Sequence, residues 1–516
     1  MNHPSPAPTG PAAAGSPGVL RFLLNGEPVE PSGWTPTTTL LSWLRASGRT
    51  GSKEGCAEGD CGACTVAIVE PGPGGPAWRA VNACILLLPS LQGRSLVTVE
   101  GLAAPGGRPG AAPHLHPAQQ AMVQRLGSQC GYCTPGFVMS LFEATYRPEL
   151  ADGPAWLRED QLAGNLCRCT GYRPIREALD DVAGACPDDR FAALLHRPAL
   201  PAALSVQIGD QRFEQPGTLA EALRLLAEAP EARLVAGATD LGLEVTLRGK
   251  TWPTLISLDA IPELREIRNT PDLFHIGAGA RLSALEAATP VAQPMLHRML
   301  RYFGARGIKN RGTLGGNLCT ASPIGDLAPV MLALDATFVL ASAAGERRLS
   351  AQDFFVAYRT TALRPGELLL RVELPAAQPG EQQAAFKVSR RRELDISTVS
   401  AAFSVQVDAA GRVRSARLAF GGMGALPLRA TQAEAALLGA IFDENAMRRA
   451  AAALPADLSP RDDLRASASY RMRVAKNLLL GFFLERRRDG FRAGAAALPA
   501  RHTATVALDQ PAGAAE

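Results

Sequence analysis

The chain has 516 residues, 47% hydrophobic and 20% charged, a balance that fits several packed globular domains and excludes a disordered or fibrous chain. Its formal charge of +4 is too small over this length to argue for nucleic acid or an anionic membrane, and no basic run is interleaved with aromatics. The longest apolar runs, such as LLLGFF at Leu478, fall short of the roughly 20 residues that cross a bilayer. The opening MNHPSPAPTGPAAAGSPG lacks the basic start and apolar core of a signal peptide. A cytoplasmic chain is expected, without nucleic-acid or membrane partners, with disordered tails at residues 1–17 and 490–516.

In chain order, VLRFLLNGEPVE alternates about Asn25-Gly26, the strongest short hairpin signal, and TTTLLSWLRAS has helical spacing of its apolar residues. A glycine-rich loop, GSKEGCAEGDCGACTV, precedes the strand-like runs CTVAIVE and SLVTVEGL, with Cys84 between them in VNACILLLP. Residues 18–104 therefore read as a small mixed sheet with one helix. Over 112–192 the pattern becomes helical, in HPAQQAMVQRLGS, GFVMSLFEATYR, REDQLAGNL and REALDDVAGA. Residues 193–205, including RPALPAALS, are proline-rich and unperiodic and read as a linker. Two further α+β units follow, at 206–376 and 384–489, the last containing the alternating run SARLAFGGMGALPLRA.

Eight of the ten cysteines fall into two sets of four whose spacing does not suit a disulfide scaffold in so long a chain. Cys56-x4-Cys61-x2-Cys64 with Cys84 has the plant-type ferredoxin spacing for a 2Fe-2S cluster, and its glycines permit a loop whose amides can face sulfur. Cys130-x2-Cys133 and Cys167-x-Cys169 each sit at a junction between predicted helices, so two helix-turn units can present four thiolates. Structural zinc is the alternative for each set and the stronger competitor at the second, although Cys-x-Cys is uncommon in zinc knuckles. A second 2Fe-2S cluster is preferred. Cys186 and Cys319 have no partner spacing and read as small buried hydrophobes.

The order of the C-x4-C-x2-C loop, SQCGYCTPG and NLCRCTGYRPI resembles the iron-sulfur region of the xanthine dehydrogenase family of molybdenum hydroxylases over most of residues 18–190. The resemblance implies a β-grasp ferredoxin-like domain and a helical-bundle 2Fe-2S domain. It also implies that the Cys56 cluster lies nearer the flavin and the Cys130 cluster nearer a molybdenum cofactor, whose pterin Gln129 approaches.

In the second half, IGAGARLSAL lacks the third glycine of a dinucleotide fingerprint, so a Rossmann site is rejected. LVAGATDLGLE and NRGTLGGNLCTASPIGDLAPV put small residues and hydroxyls where a backbone can approach a pyrophosphate, or simply turn tightly at strand ends. Both resemble the FAD-binding segments of the same family, whose flavin domain has the vanillyl-alcohol oxidase-like (VAO-like) α+β fold and is followed by a C-terminal flavoprotein subdomain. The resemblance implies that Val235, Ala236, Gly237, Ala238, Thr239 and Asp240 form one flavin loop and that Thr313, Gly316, Asn317, Thr320 and Asp326 lie in the other. It places Phe303 near the isoalloxazine and Lys387 beside the flavin. Asparagine often stands in the family where this chain has Ala238.

No molybdenum-binding segment is expected after the flavoprotein subdomain, and the resemblance then implies a large partner subunit that holds the molybdenum cofactor, in a heterotetramer of two small and two large subunits. The expected activity is that of the small subunit of an NAD-dependent oxidoreductase. Electrons from purine hydroxylation on the partner pass through two 2Fe-2S clusters to FAD and then to NAD. Aldehyde or another N-heterocycle is the alternative substrate class, and a redox-sensing scaffold the alternative outside the enzymes. The pairing of single-electron clusters with a flavin that can release a hydride favours the enzyme.

Overall fold

The hairpin forms as its sequence dictates. In the computed structural model, which describes residues 18–72, 74–104, 113–196, 198–392 and 394–488, strands Phe22–Leu24 and Glu27–Val29 pair antiparallel. Asn25 and Gly26 between them have φ of 55° and 93°, the left-handed turn that Asn-Gly favours. The two expected tails lie outside the described residues.

Phe22–Leu24 runs parallel to Ser95–Val97, which pairs antiparallel with Thr65–Glu70, itself paired with Ala77–Asn82. Every residue of Thr65–Glu70 is buried, because the strand's alternation serves two cores. Val66 and Ile68 pack with Leu40, Leu41, Trp43 and Leu44 of helix Leu40–Ala46. Ala67 and Val69 face the other way, onto Phe137, Leu141, Phe142 and Ile175. Those belong to helices Thr134–Thr145 and Arg173–Val182, which with Pro117–Gln124 and Ala155–Gln161 make the expected helical unit.

The stretch expected as a linker is partly ordered into its neighbours. Helix Arg190–His196 runs into it and the next strand begins at Leu204. Between them the Ala202 amide donates to the Gln92 carbonyl at 3.2 Å, so the prolines lead the chain along the first sheet.

The second half contains a four-stranded sheet in the order Leu204–Ile208, Gln211–Gln215, Thr254–Ser257, Arg233–Val235, and a five-stranded antiparallel sheet centred on Leu368–Pro375. A further antiparallel sheet, built on Glu381–Val388, Val399–Val407 and Val413–Gly421, shares an aromatic core (Phe386, Phe403, Phe420, Phe482) with helix Ala468–Arg488. Among the described residues no helix is long and apolar enough to cross a membrane.

Two buried ion clusters fix these units on one another. Glu70 and Arg94 of the first sheet meet Asp259, Arg281 and Arg311 of the second half. Arg94–Glu70 is 2.9 Å, Arg311–Glu70 2.5 Å and Arg281–Asp259 2.9 Å, and Arg311 also bonds Asp259. In the other cluster, Lys309 lies 2.9 Å from Asp160 of the helical unit and 2.8 Å from Glu286, and Arg306 bonds the same two carboxylates.

Burial alone would push the Glu70 carboxyl up, but Arg281, Arg94 and Arg311 beside it bring it down from 4.5 to about 2. The same opposition holds Asp259 and Asp160 well below the usual carboxylate range. A folded-state pKa below the unfolded one gives stability that is complete above the unfolded value and lost as pH falls through the folded one. The thermal midpoint should therefore be flat above about pH 5 and fall steeply between about pH 4 and 2. Calorimetry across this range checks it, and a midpoint unchanged at about pH 2.5 would refute it.

Candidate functional site

The glycine-rich loop wraps its backbone around a sulfur. The amides of Glu58, Asp60 and Cys61 donate to Cys56 Sγ at 3.4, 3.3 and 3.4 Å, and the Cys84 amide donates to Cys64 Sγ at 3.4 Å. The four thiols lie in neighbouring contact, Cys56 with Cys61 and Cys84, and Cys64 with Cys84. Hydrogen bonds from the Cys61 and Cys84 thiols, opposed by burial and helped by the amides, hold Cys56 well below the usual thiol range. Cys64 and Cys84 are buried, and Cys56 and Cys61 partly so.

The second set sits just before helices Thr134–Thr145 and Arg173–Val182. Cys133 neighbours Cys167, and Cys130 neighbours Cys169. Cys167 Sγ accepts from the amides of Cys169 and Thr170 at 3.4 and 3.5 Å and lies 3.2 Å from the Thr170 hydroxyl. Against its burial, these contacts lower the thiol to about 7. Burial, with Cys167 beside it, pushes Cys133 up to about 12. Among the described residues no three His, Cys, Asp or Glu side chains converge on one ion position. Each set instead brings four thiols beside one another with amides aimed at sulfur, a donor set that suits two irons sharing four thiolates.

The two sets are stitched together. The Leu166 amide, adjacent to Cys167, donates to the Cys61 carbonyl at 3.0 Å. Asn165 Nδ2 donates to the Gly62 carbonyl at 3.2 Å, and the Tyr132 hydroxyl donates to the Glu54 carbonyl. At the far side Cys130 and Cys169 are exposed, beside Gln129, also exposed. Val123 and Leu126 on the same unit are 60% and 79% accessible.

The flavin loops meet around a cleft of about 540 Å³. Val235, Ala236, Ala238, Thr239 and Asp240 line it from the first loop, and Thr313, Gly316, Asn317, Thr320 and Asp326 from the second. Phe303 and Lys387 complete it. Gly237 is the one expected residue off this lining. Its φ is +110°, and a Cβ there would stand 2.1 Å from the Arg311 carbonyl oxygen, so the turn accepts glycine alone. Lys387 Nζ is buried 2.8 Å from Asp326 Oδ2, whose other oxygen accepts from the Ser397 hydroxyl at 2.5 Å. Asn317 Oδ1 is buried without a hydrogen-bond partner among the described residues, a free acceptor on a cleft whose volume suits a cofactor.

Residues that the sequence reading missed also line the cleft. Glu58 and Asp60, from between Cys56 and Cys61, face it with Leu394, Asp395 and Ile396. Burial, with Glu58 and Cys56 nearby, raises the Asp60 carboxyl. No local pattern marks them; they reach the flavin cleft only through the docking of two units. One expectation is corrected. Cys186 is exposed, at φ 43°, because it lies in the turn that leaves helix Arg173–Val182. Cys319 packs partly buried against the core of the second half.

Gly237→Ala should sharply lower flavin retention while leaving both cysteine sets in place. Flavin fluorescence after denaturation should fall by about tenfold at unchanged iron content, since a Cβ at this φ meets backbone that cannot yield. Parent levels of flavin would refute it.

Comparison with known proteins agrees with this arrangement. Residues 22–87 match the 2Fe-2S iron-sulfur cluster binding domain and 98–180 the 2Fe-2S binding domain. Residues 207–377 match the FAD binding domain in molybdopterin dehydrogenase, and 384–486 the CO dehydrogenase flavoprotein C-terminal domain. The chain is 33% identical to xanthine dehydrogenase of Emericella nidulans over 90% of its own length and 38% of that protein. It is 32% identical to xanthine dehydrogenase/oxidase of Gallus gallus over 90% and 39%. It thus spans about two fifths of the length of these curated relatives. Among solved structures it is similar to a chain of carbon monoxide dehydrogenase from Hydrogenophaga pseudoflava (31% identity, TM-score 0.50, 52% of this chain and 94% of that one). A chain of quinoline 2-oxidoreductase from Pseudomonas putida 86 is similar at 29% identity and TM-score 0.51, over 57% and 99%. Two iron-sulfur units and a flavin unit in this order, with thiols and loops so placed, make this chain a member of the molybdenum hydroxylase family that carries its iron-sulfur and flavin domains.

Proposed function

We propose that the chain is the electron-transfer subunit of a xanthine dehydrogenase. Electrons from hydroxylation of a purine, xanthine or hypoxanthine, at a molybdenum cofactor on a large partner subunit enter at the Cys130 set. They pass to the Cys56 set and leave through FAD to NAD. FAD supplies the conversion between single-electron and hydride chemistry. This chain's residues hold the stations: Cys130, Cys133, Cys167 and Cys169 for one cluster, Cys56, Cys61, Cys64 and Cys84 for the other. The two loops, Phe303 and Lys387 hold the flavin. The partnership with a large subunit, two of each per molecule, belongs to the same reading.

The observation that carries the order of transfer is the position of the Cys56 loop. It lies between the other two stations, with Glu58 and Asp60 on the flavin cleft and the Cys61 carbonyl bonded to the amide next to Cys167. The exposed end of the second set, with Gln129 and apolar side chains on the same unit, offers a contact face for a protein donor. Support for purine as substrate comes from relatives named xanthine dehydrogenase that match over 90% of this chain. The quinoline 2-oxidoreductase neighbour favours a second reading, in which the partner hydroxylates a different N-heterocycle.

Purified holoenzyme should contain about four irons and one FAD per copy of this chain, the content of two 2Fe-2S clusters and one flavin. Stoichiometric zinc with little iron would overturn the assignment of the thiols. Cys61→Ser should remove one of two paramagnetic cluster signals. Xanthine should still reduce the remaining cluster, xanthine-to-NAD turnover should fall by about a hundredfold or more, and NADH-driven dye reduction should largely survive. Loss of both signals together, or turnover at the parent rate, would refute the order. Reduction by quinoline and not by xanthine would favour the second reading.

A further inference from the structure

The turn IGAGARLSAL is no dinucleotide fingerprint, yet it delivers a side chain to the place where the two flavin loops cross. Arg281 forms a β-bridge with Thr313 at the start of the second loop. Its Nη1 donates to the Arg311 carbonyl at 2.9 Å. That same carbonyl is the group that excludes a Cβ at Gly237, and the Cβ position would also lie 3.2 Å from Arg281 Nη1. Arg281 thus touches both loops, and its side chain is only 5% exposed.

The charges around it do not balance. Arg94, Arg281 and Arg311 face only Glu70 and Asp259, and Arg265 stands beside them with its Nη1 on the Asp259 carbonyl at 3.2 Å, which leaves positive charge in excess around a buried cluster. Arg281 Nε is buried without a hydrogen-bond partner among the described residues. An unbalanced buried charge is costly unless an anion answers it. The FAD binding assigned to this cleft would bring a diphosphate, and these loops are the segments whose backbone suits one.

Resting on the flavin reading above, we propose that Arg281 is a positioning residue for the diphosphate of FAD. It ties the Gly237 turn to the second loop through the Arg311 carbonyl, and it places the cluster's uncompensated positive charge behind the turn. No contact between the guanidinium and the phosphates is required, because a charge buried behind the turn acts over several ångströms.

The test compares two flavins on flavin-stripped holoenzyme, FAD with its diphosphate and riboflavin with none. Arg281→Met removes one positive charge and leaves Arg94 and Arg311 still paired with Glu70 and Asp259. It should weaken FAD about tenfold or more while changing riboflavin affinity less than about twofold. Arg281→Lys should restore most of the FAD affinity. Both cluster signals should persist, which reports that the fold is intact. Should Arg281→Met fail to fold, Asp259→Asn moves the charge the opposite way with little change of shape, and FAD should then bind at least as tightly as in the parent, with riboflavin unchanged. Equal losses for the two flavins in Arg281→Met, or a selective loss of FAD in Asp259→Asn, would overturn the proposal. A parent that takes up neither flavin would sink the flavin reading itself.

Discussion

Five side chains shut away from water, Glu70, Arg94, Asp259, Arg281 and Arg311, are the constraint on which the placement of every redox station depends. An apolar interface alone tolerates small slides, since dispersion and burial are non-directional. Guanidinium-carboxylate pairs are directional and fix angle as well as distance. Taking such groups out of water costs about as much as their attraction returns, so their contribution lies in register more than in net stability. The Asp160, Glu286, Arg306 and Lys309 cluster does the same for the helical unit. Units that already share apolar cores across their boundaries are thereby held in one register, and with them the separations of their cofactor sites.

Strand Thr65–Glu70 makes the connection concrete. It begins one residue after Cys64 and ends at Glu70, so one end carries the thiol loop and the other the ion cluster. Buried on both faces, it cannot tilt without opening two cores. A shift of the flavin half would therefore be felt at the cysteines. The helical unit reaches the same loop from the opposite side, through the Leu166 amide on the Cys61 carbonyl. The loop is held at both approaches.

Legibility in the sequence follows the range of the interactions. Cysteine spacing, the Asn-Gly hairpin and the helix-turn junctions depend on neighbours within a few residues, and each was readable before any coordinates. The flavin loops were readable by resemblance, and Gly237 has a physical reason once the Arg311 carbonyl is seen against it. Glu58 and Asp60 were invisible as cleft residues, and Arg281 as a link between loops, because their partners are remote in the chain. Arg281 meets Glu70 across 211 positions and Arg311 meets it across 241. No periodicity or motif encodes such a pairing. Cys186 departs from expectation for the opposite reason: the tendency of lone cysteines to be buried is overridden by the local turn that exposes it.

The two thiol sets differ in exposure, and their hydrogen bonds differ to match. A reduced cluster carries one more negative charge, which is harder to hold where water is excluded. The buried set compensates with backbone, since Cys56 and Cys64 together accept four amide hydrogen bonds. In the set that reaches the surface, Cys167 accepts two amides and neighbours one hydroxyl, while exposed Cys130 and Cys169 stand where water or a docked protein can supply the rest. For the proposed relay this gradient has a direct use. The end that meets a protein donor is left open to be covered, the middle station is solvated by peptide dipoles that need no rearrangement when the electron arrives, and the far end opens on a cleft that a diffusing acceptor can enter.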